Sequence, residues 1–353
     1  MRVASVVGAR PQFIKLAPVA RAMAAAGIDH VIIHTGQHYD EAMSKVFFAD
    51  LAIPAPDVDL AVGSGSHGQQ TGAMLAGLEQ QFDHLKPNWV LVYGDTNSTL
   101  AGALAAAKSH WPVAHLEAGL RSFNRLMPEE HNRVLTDHAA DLLLAPTQVA
   151  MDHLANEGLL GKARLVGDVM TDVCFAVRDA LIDQGLPQGG DYLVCTVHRA
   201  ENTDDPERLD QIVSQLAALP LEVRLLVHPR LRDRAKSYGL DLATGSLRPS
   251  GPLPYPEMVR AVLGSCGVVT DSGGLQKEAY LLGRVCTTLR TETEWPETLL
   301  DGWNLLAPDL ANLADLATRP LPSAERRQPY GDGQAAQAVV AELQSARPHL
   351  DQA

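Results

Sequence analysis

Three acidic residues close apolar segments in the first half of the chain. Asp95 follows the run in "VLVYGDTNST", Glu117 emerges from "VAHLEAGLRS", and Glu129 stands in the first turn of "LMPEEHNRVLTDH", just behind Pro128. Two cations, Arg10 and Lys15, follow the first such run in "VVGARPQFIK". Carboxylates at neighbouring strand or helix ends, facing cations, suit proton transfer beside an anionic leaving group. Each residue also has a plainer use. Asp95 could cap the next helix, Glu129 could pair with Arg133 across one helical turn, and Arg10 and Lys15 could be solvated helix charges. Glu117 fits such uses poorly, because Glu is a weak cap and no helix follows at once.

The second half carries a different set. In "VCTVHRAEN", His198, Arg199 and Glu201 follow an apolar strand, and "LLVHPR" puts His228 at another strand end. In "VVTDSGGLQKEAYLLG" a buried strand runs into Ser272-Gly273-Gly274 and then a helix. Free backbone amides and a hydroxyl at a helix start make an anion site, and Glu278, one turn further, could accept from ribose hydroxyls. The plainer alternative is a Gly-rich connector with a surface Glu. The first turn has only Gly8 where a dinucleotide fingerprint has three glycines, and the second strand ends "HTGQH" without an acid. NAD is therefore not expected. Arg10 and Lys15 could instead meet a diphosphate near the positive end of the first helix.

Short β-rich apolar runs alternate with alanine-rich helical segments, the pattern of parallel α/β architecture. The chain reads as an N-terminal Rossmann-like domain over 1–167, a second over 168–335, and a C-terminal helix over 336–353 that could pack on either half. Its 353 residues suffice for two cores. No apolar run reaches membrane-spanning length, and the first residues read directly as a strand, so no leader is expected and the protein is taken as cytoplasmic. The four cysteines have no metal-ligand or disulfide spacing and read mostly as small buried hydrophobes. No metal site is expected. A net charge of −13 argues against a nucleic-acid surface; a small phosphorylated ligand needs only a local cationic pocket.

The segments "GARPQFIK", "TGQH", "YGDTNSTLAG", "HLEAGLRS", "MPEEHNR", "TVHRAEN", "HP", "TDSGGLQKEA" and "PYGDGQA" occur in that order. Together they resemble the non-hydrolysing UDP-N-acetylglucosamine 2-epimerases over nearly the whole chain. The resemblance implies two Rossmann-like domains facing a central cleft, the glycosyltransferase-B arrangement, in a homodimer. It implies interconversion of UDP-N-acetylglucosamine and UDP-N-acetylmannosamine without cofactor, through elimination of UDP to a 2-acetamidoglucal and its re-addition. The family's catalytic acids fall on Asp95, Glu117 and Glu129, and its histidine on His198. Its cationic partners fall on Arg10 and Lys15, and its nucleotide-binding elements on Ser272, Gly273, Gly274 and Glu278. Further substrate contacts are expected at Gln37, His38, Arg133, Arg199, His228 and Arg290.

The chain also departs from the family. "TEWPE" puts Trp295 where many members have Arg; Arg290 could compensate, or Trp295 could offer a flat apolar surface. Asp40 replaces a Gln found in substrate-activated bacterial members. These differences leave room for another UDP-2-acetamido sugar, such as a 2,3-diacetamido uronic acid. A hydrolysing epimerase, a retaining glycosyltransferase and a nucleotide-sugar sensor are the rival readings.

Overall fold

The computed structural model describes residues 1–37, 54–185 and 190–346, the side chain of Arg10 excepted. The chain forms two compact units, one of Met1–Val173 with the segment from Gln328 onward, the other of Cys174–Arg327. Each is built on its own parallel sheet.

In the first unit, β1 (Arg2–Val7), β2 (Asp29–His34), β3 (Val58–Asp59), β4 (Trp89–Tyr93), β5 (Val113–Leu116), β6 (Leu142–Ala145) and β7 (Ala163–Leu165) lie in the order β3-β2-β1-β4-β5-β6-β7. Strand residues alternate between two apolar cores, which is why these strands read as continuous apolar runs. Trp89, Leu91 and Tyr93 join a core with Phe13 and Leu16 of the helix Arg10–Ala25. Val90 and Val92 join another, with Met74, Leu78 and Phe82 of the helix His67–Leu85. Those three lie four residues apart, on one stripe of their helix, and burying each side chain contributes about 2–3 kcal/mol.

The junctions fall at Val173/Cys174 and Arg327/Gln328, so residues 168–173 and 328–335, expected in the second domain, belong to the first unit. Hydrogen bonds explain this. Asp168 N donates to Tyr330 O at 3.0 Å, and the Asp172 carboxylate accepts from Ala335 N and Ala336 N at 3.0 and 2.8 Å. Asp172 thereby satisfies the first amides of the helix Ala335–Ser345. Trp89 Nε1 then donates to Leu343 O at 3.0 Å, fixing that helix over the sheet.

The second unit repeats the plan with β8 (Tyr192–Thr196), β9 (Glu222–Leu226), β10 (Leu247–Ser250), β11 (Gly267–Thr270), β12 (Val285–Thr288) and β13 (Asn304–Leu306) in the order β10-β9-β8-β11-β12-β13. In each sheet the strand order reverses once, between β1 and β4 and between β8 and β11. Ligands of open α/β sheets bind where the carboxyl ends of strands meet such a reversal. The turns after β1 and β4, and after β8 and β11, are therefore the places to look for chemistry.

One half-buried histidine makes acid stability testable. His30 Nε2 lies 2.8 Å from Ser5 Oγ, which is 2.8 Å from the Tyr93 hydroxyl. Burial pushes the His30 ring down from its ordinary 6.5 to about 4, only partly opposed by Asp57. The folded protein thus holds the ring neutral where the unfolded chain takes up a proton. This contribution is complete above pH 6.5 and is lost as pH falls toward 4, a difference on the order of 3 kcal/mol. Urea unfolding between about pH 7 and 4.5 is expected to show His30→Gln losing markedly less stability on acidification than the parent. Parallel acid limbs would refute the assignment.

Candidate active site

The first turn is closed from within. The amides of Gly8 and Ala9 both donate to Gln12 Oε1, at 2.8 and 3.0 Å. Gln12 Nε2 donates onward to Tyr93 O at 2.9 Å and Thr99 Oγ1 at 3.1 Å, locking the turn after β1 to the turn after β4. Gly8 serves close packing: a Cβ there would sit 1.9 Å from Thr35 Oγ1 and 2.3 Å from Ser98 Oγ. With Gly8 and Ala9 engaged, these two amides do not offer a phosphate cradle. Gln37 belongs to the same packed corner, its Oε1 accepting from Ser98 N at 3.0 Å and Ser98 Oγ at 2.6 Å. His38 and Asp40 lie outside the described residues, as does the side chain of Arg10.

Lys15 Nζ forms an ion pair with Glu117 Oε2, and both side chains are largely buried. Burial alone would lower the lysine's pKa, but Glu117, then Asp95, and more distantly Asp168 raise it above the ordinary value. The ammonium is held charged by the acids around it. The pair lies against the turn after β4: a Cβ on Gly94 would be 3.2 Å from Glu117 Oε2 and 3.3 Å from Lys15 Nζ. Glu117 itself has φ +69°. A non-glycine residue pays on the order of 1 kcal/mol for this conformation and keeps it only where surrounding structure imposes it.

Asp95 sits beside this pair. Thr96, not Asp95, caps the helix Asn97–Lys108, its hydroxyl accepting from Thr99 N. Asp95 Oδ2 meets Arg133 Nη2 at 2.5 Å, and Arg133 Nη1 meets Glu130 Oε2 at 3.0 Å. Arg133 therefore bridges Asp95 and Glu130, while Glu129 is exposed on the helix Pro128–Ala139. Glu130 was not singled out by the sequence. It is buried and accepts from Ser122 N, Ser122 Oγ and Phe123 N, each at 2.9 Å. Burial pushes its carboxyl up, but those donors and Arg133 hold it below the usual range. It anchors the loop that joins β5 to the helix.

In the second unit the organising residue is Asp271, which sequence reasoning also missed. It is fully buried at the end of β11. Its Oδ2 accepts from His198 N, Arg199 N and Asn202 Nδ2 at 2.9, 2.9 and 3.0 Å, and its Oδ1 lies 3.1 Å from His198 Nδ1. The turn after β8 is thus tied to the turn after β11. Burial, with smaller pushes from His228 and Arg199, lowers the His198 pKa despite Asp271. Nδ1 faces the Asp271 carboxylate, which can only accept, so Nδ1 is the donor there. The His228 ring stands 5.3 Å away, and His228 caps the helix Pro229–Tyr238 by accepting Arg230 N through Nδ1.

Ser272 caps the helix Gly273–Leu281. A Cβ on Gly273 would lie 2.1 Å from Glu294 Oε1, so this glycine admits the Glu294 carboxylate at the helix start. Arg290 Nη1 holds Glu294 at 2.6 Å, and Arg199 Nη2 approaches it at 3.9 Å. Gly274 is exposed and Glu278 half-buried, beside Tyr255. Trp295 is buried, with Lys277 Nζ 3.9 Å from its ring centroid. Among the described residues no cluster of His, Cys, Asp and Glu could hold a metal ion, and no helix is long and apolar enough to cross a membrane.

Known proteins share this architecture. The family model described as UDP-N-acetylglucosamine 2-epimerase matches residues 21–344. The chain belongs to that family. Its relatives include a UDP-2,3-diacetamido-2,3-dideoxy-D-glucuronate 2-epimerase of Pseudomonas aeruginosa, 46% identical over 351 residues and covering 96% of this chain and 98% of that one. A UDP-N-acetylglucosamine 2-epimerase of Methanocaldococcus jannaschii is 39% identical, covering 96% of this chain and 98% of its own. A crystal structure of the M. jannaschii enzyme in complex with UDP-GlcNAc and UDP matches with a TM-score of 0.82, over 98% of this chain and 100% of that one. This epimerase family membership accounts for both parallel sheets and for the order of the segments around Asp95, Glu117, His198 and Ser272.

Proposed function

We propose that the protein inverts carbon 2 of UDP-N-acetylglucosamine, giving UDP-N-acetylmannosamine, by eliminating and re-adding UDP. Carbon 2 is not beside a carbonyl in the ring, so its proton is weakly acidic. Removing it as the carbon 1–oxygen bond breaks sends the electron pair into a carbon 1–carbon 2 double bond, while the bond pair leaves with the diphosphate. The intermediate is a 2-acetamidoglucal. Re-addition of a diphosphate oxygen at carbon 1, with a proton delivered to the opposite face of carbon 2, completes inversion. The observation that carries this reading is the Lys15–Glu117 pair packed against the Gly94-Asp95 turn. It supplies proton-transfer carboxylates and a charged ammonium at one strand-order reversal. In this reading the first unit supplies Asp95, Glu117 and Glu129 with Arg10 and Lys15. The second supplies nucleotide contacts at Ser272, Gly273, Gly274 and Glu278, with His198, Arg199, His228 and Arg290 near the diphosphate. Both UDP-GlcNAc and UDP are bound in the M. jannaschii structure, which supports a UDP-sugar substrate here.

A second reading takes UDP-2,3-diacetamido-2,3-dideoxy-D-glucuronate as the substrate, favoured by the 46% identity to the P. aeruginosa enzyme. Its carbon 2 chemistry is the same; the sugar differs by an acetamido group at carbon 3 and a carboxylate at carbon 6. Incubating the protein with each UDP-sugar in deuterated water, without acceptor or NAD, separates the readings by NMR. The first expects deuterium at carbon 2 of UDP-N-acetylglucosamine and two intact epimeric UDP-sugars. Exchange confined to the diacetamido uronate would establish the second. Accumulating free sugar would mark a hydrolysing enzyme, and exchange in neither substrate would overturn both readings.

A further inference from the structure

Behind the Asp95 and Glu117 turns lies a buried charged cluster that the reaction above does not use. His115, on β5, is completely buried, with Nδ1 2.7 Å from Asp137 Oδ1 and Nε2 2.7 Å from Gly94 O. Asp137, equally buried, accepts from Gly119 N at 3.1 Å and meets Arg121 Nη1 at 2.7 Å. Arg121 in turn forks onto Glu157, Nε to Oε1 and Nη2 to Oε2, both at 2.8 Å. Lys162 donates to the Asp137 backbone carbonyl at 3.0 Å, and His138 reaches Glu157 at 3.2 Å. Among the described residues, Asp141 beside Lys162 and His153 beside Gly119 are further titratable groups around the pair.

The two ends of this cluster grip the two candidate catalytic turns. Gly94 immediately precedes Asp95, and Gly119 follows two residues after Glu117. Gly94 and Gly119 take left-handed backbone, φ +62° and +83°, without steric cost, but Glu117, at φ +69°, keeps it only where its surroundings impose it, so the turn after β5 needs external support. The far side of Gly119 is held as well, its carbonyl 2.9 Å from His153 Nδ1.

The partners also dictate where the His115 protons lie. A backbone carbonyl only accepts. Asp137 Oδ2 already accepts from Gly119 N and pairs with the Arg121 guanidinium, so the group is a carboxylate and it too only accepts. Both ring nitrogens must therefore donate. We propose that His115 is a positively charged positioning residue, tying Gly94 directly, and Gly119 through Asp137, so that Asp95 and Glu117 are held in fixed register. Its effect on turnover rests on the reaction proposed above; its charge does not.

The charge is read by NMR of the parent protein labelled with ¹³C and ¹⁵N, with the His115 ring identified by through-bond correlation to its own backbone. Two protonated ring nitrogens are expected at neutral pH. One bare nitrogen overturns the assignment even if no variant folds. Positioning is read from kinetics of His115→Gln and Asp137→Asn. Each is expected to lower kcat about 100-fold, the scale of a small misplacement of reacting groups, with KM within about threefold and UDP affinity unchanged. A folded variant with lower thermal stability but parental kcat would reduce the pair to a structural role and overturn the proposal. Absence of carbon 2 exchange in the parent protein would strike the proposed reaction instead, and leave the ring result standing.

Discussion

Glu117→Gln is expected to lower kcat at least about a thousandfold, within the range that positioned acid–base groups contribute, while UDP affinity changes far less. The amide keeps the shape of the side chain but cannot take or return a proton. It also removes the partner of Lys15, which is buried and is held charged chiefly by Glu117. Breaking one side of a buried ion pair costs roughly 3–5 kcal/mol, so lost activity could be mistaken for lost structure. A second variant separates the two. In Lys15→Met with Glu117→Gln neither side chain carries charge, and replacing both members of a buried pair is often neutral for stability. The double variant is expected to recover most of the thermal stability that Glu117→Gln loses, with no recovery of turnover. Carbon 2 exchange within tenfold of the parent in either variant would remove Glu117 from the chemistry.

The contrast between Glu117 and Glu129 shows how far the sequence reaches. Strand ends were legible because both faces of each sheet are covered, leaving short continuous apolar runs whose last residues announce the turns. Asp95 and Glu117 stand out on that basis alone. Which side chains meet was not legible, because pairing follows strand order. Lys15 and Glu117 are 102 residues apart and meet because β1 lies beside β4 and β4 beside β5. In "MPEEHNR" both acids are chemically equivalent as text. One helical position apart, Glu130 turns inward to Ser122 and Arg133 while Glu129 faces solvent. Gln12 and Asp271 were missed for a related reason: Gln12 serves the backbone amides of its own turn and Asp271 those of a neighbouring one, and such amides leave no trace in the sequence. Glycines carried a signal that was easy to misassign. Gly8 and Gly273 both open helices, yet one accommodates Thr35 and Ser98 and the other a carboxylate.

Asp271→Ala is expected to produce the opposite pattern to Glu117→Gln, with stability and UDP binding lost together. The side chain is fully buried and satisfies His198 N, Arg199 N and Asn202 Nδ2, with His198 Nδ1 beside it. Truncation removes the buried acceptor these donors share, at a cost of about 3–5 kcal/mol. The turn they belong to carries His198 and Arg199, so loosening it is expected to weaken UDP binding about 100-fold, or roughly 2.7 kcal/mol. Asp271→Asn tests whether the carboxylate itself matters. Its amide retains one acceptor oxygen but turns an NH₂ toward donors the carboxylate had paired, so it is expected to restore only part of the loss. Titration calorimetry with UDP and thermal unfolding of the intact chain measure both effects. An asparagine variant that binds UDP as tightly as the parent and unfolds at the same temperature would show that Asp271 does not organise this turn. Parental stability with weakened binding would be equally damaging, because a buried residue that acts by holding backbone cannot be removed without destabilising what it holds.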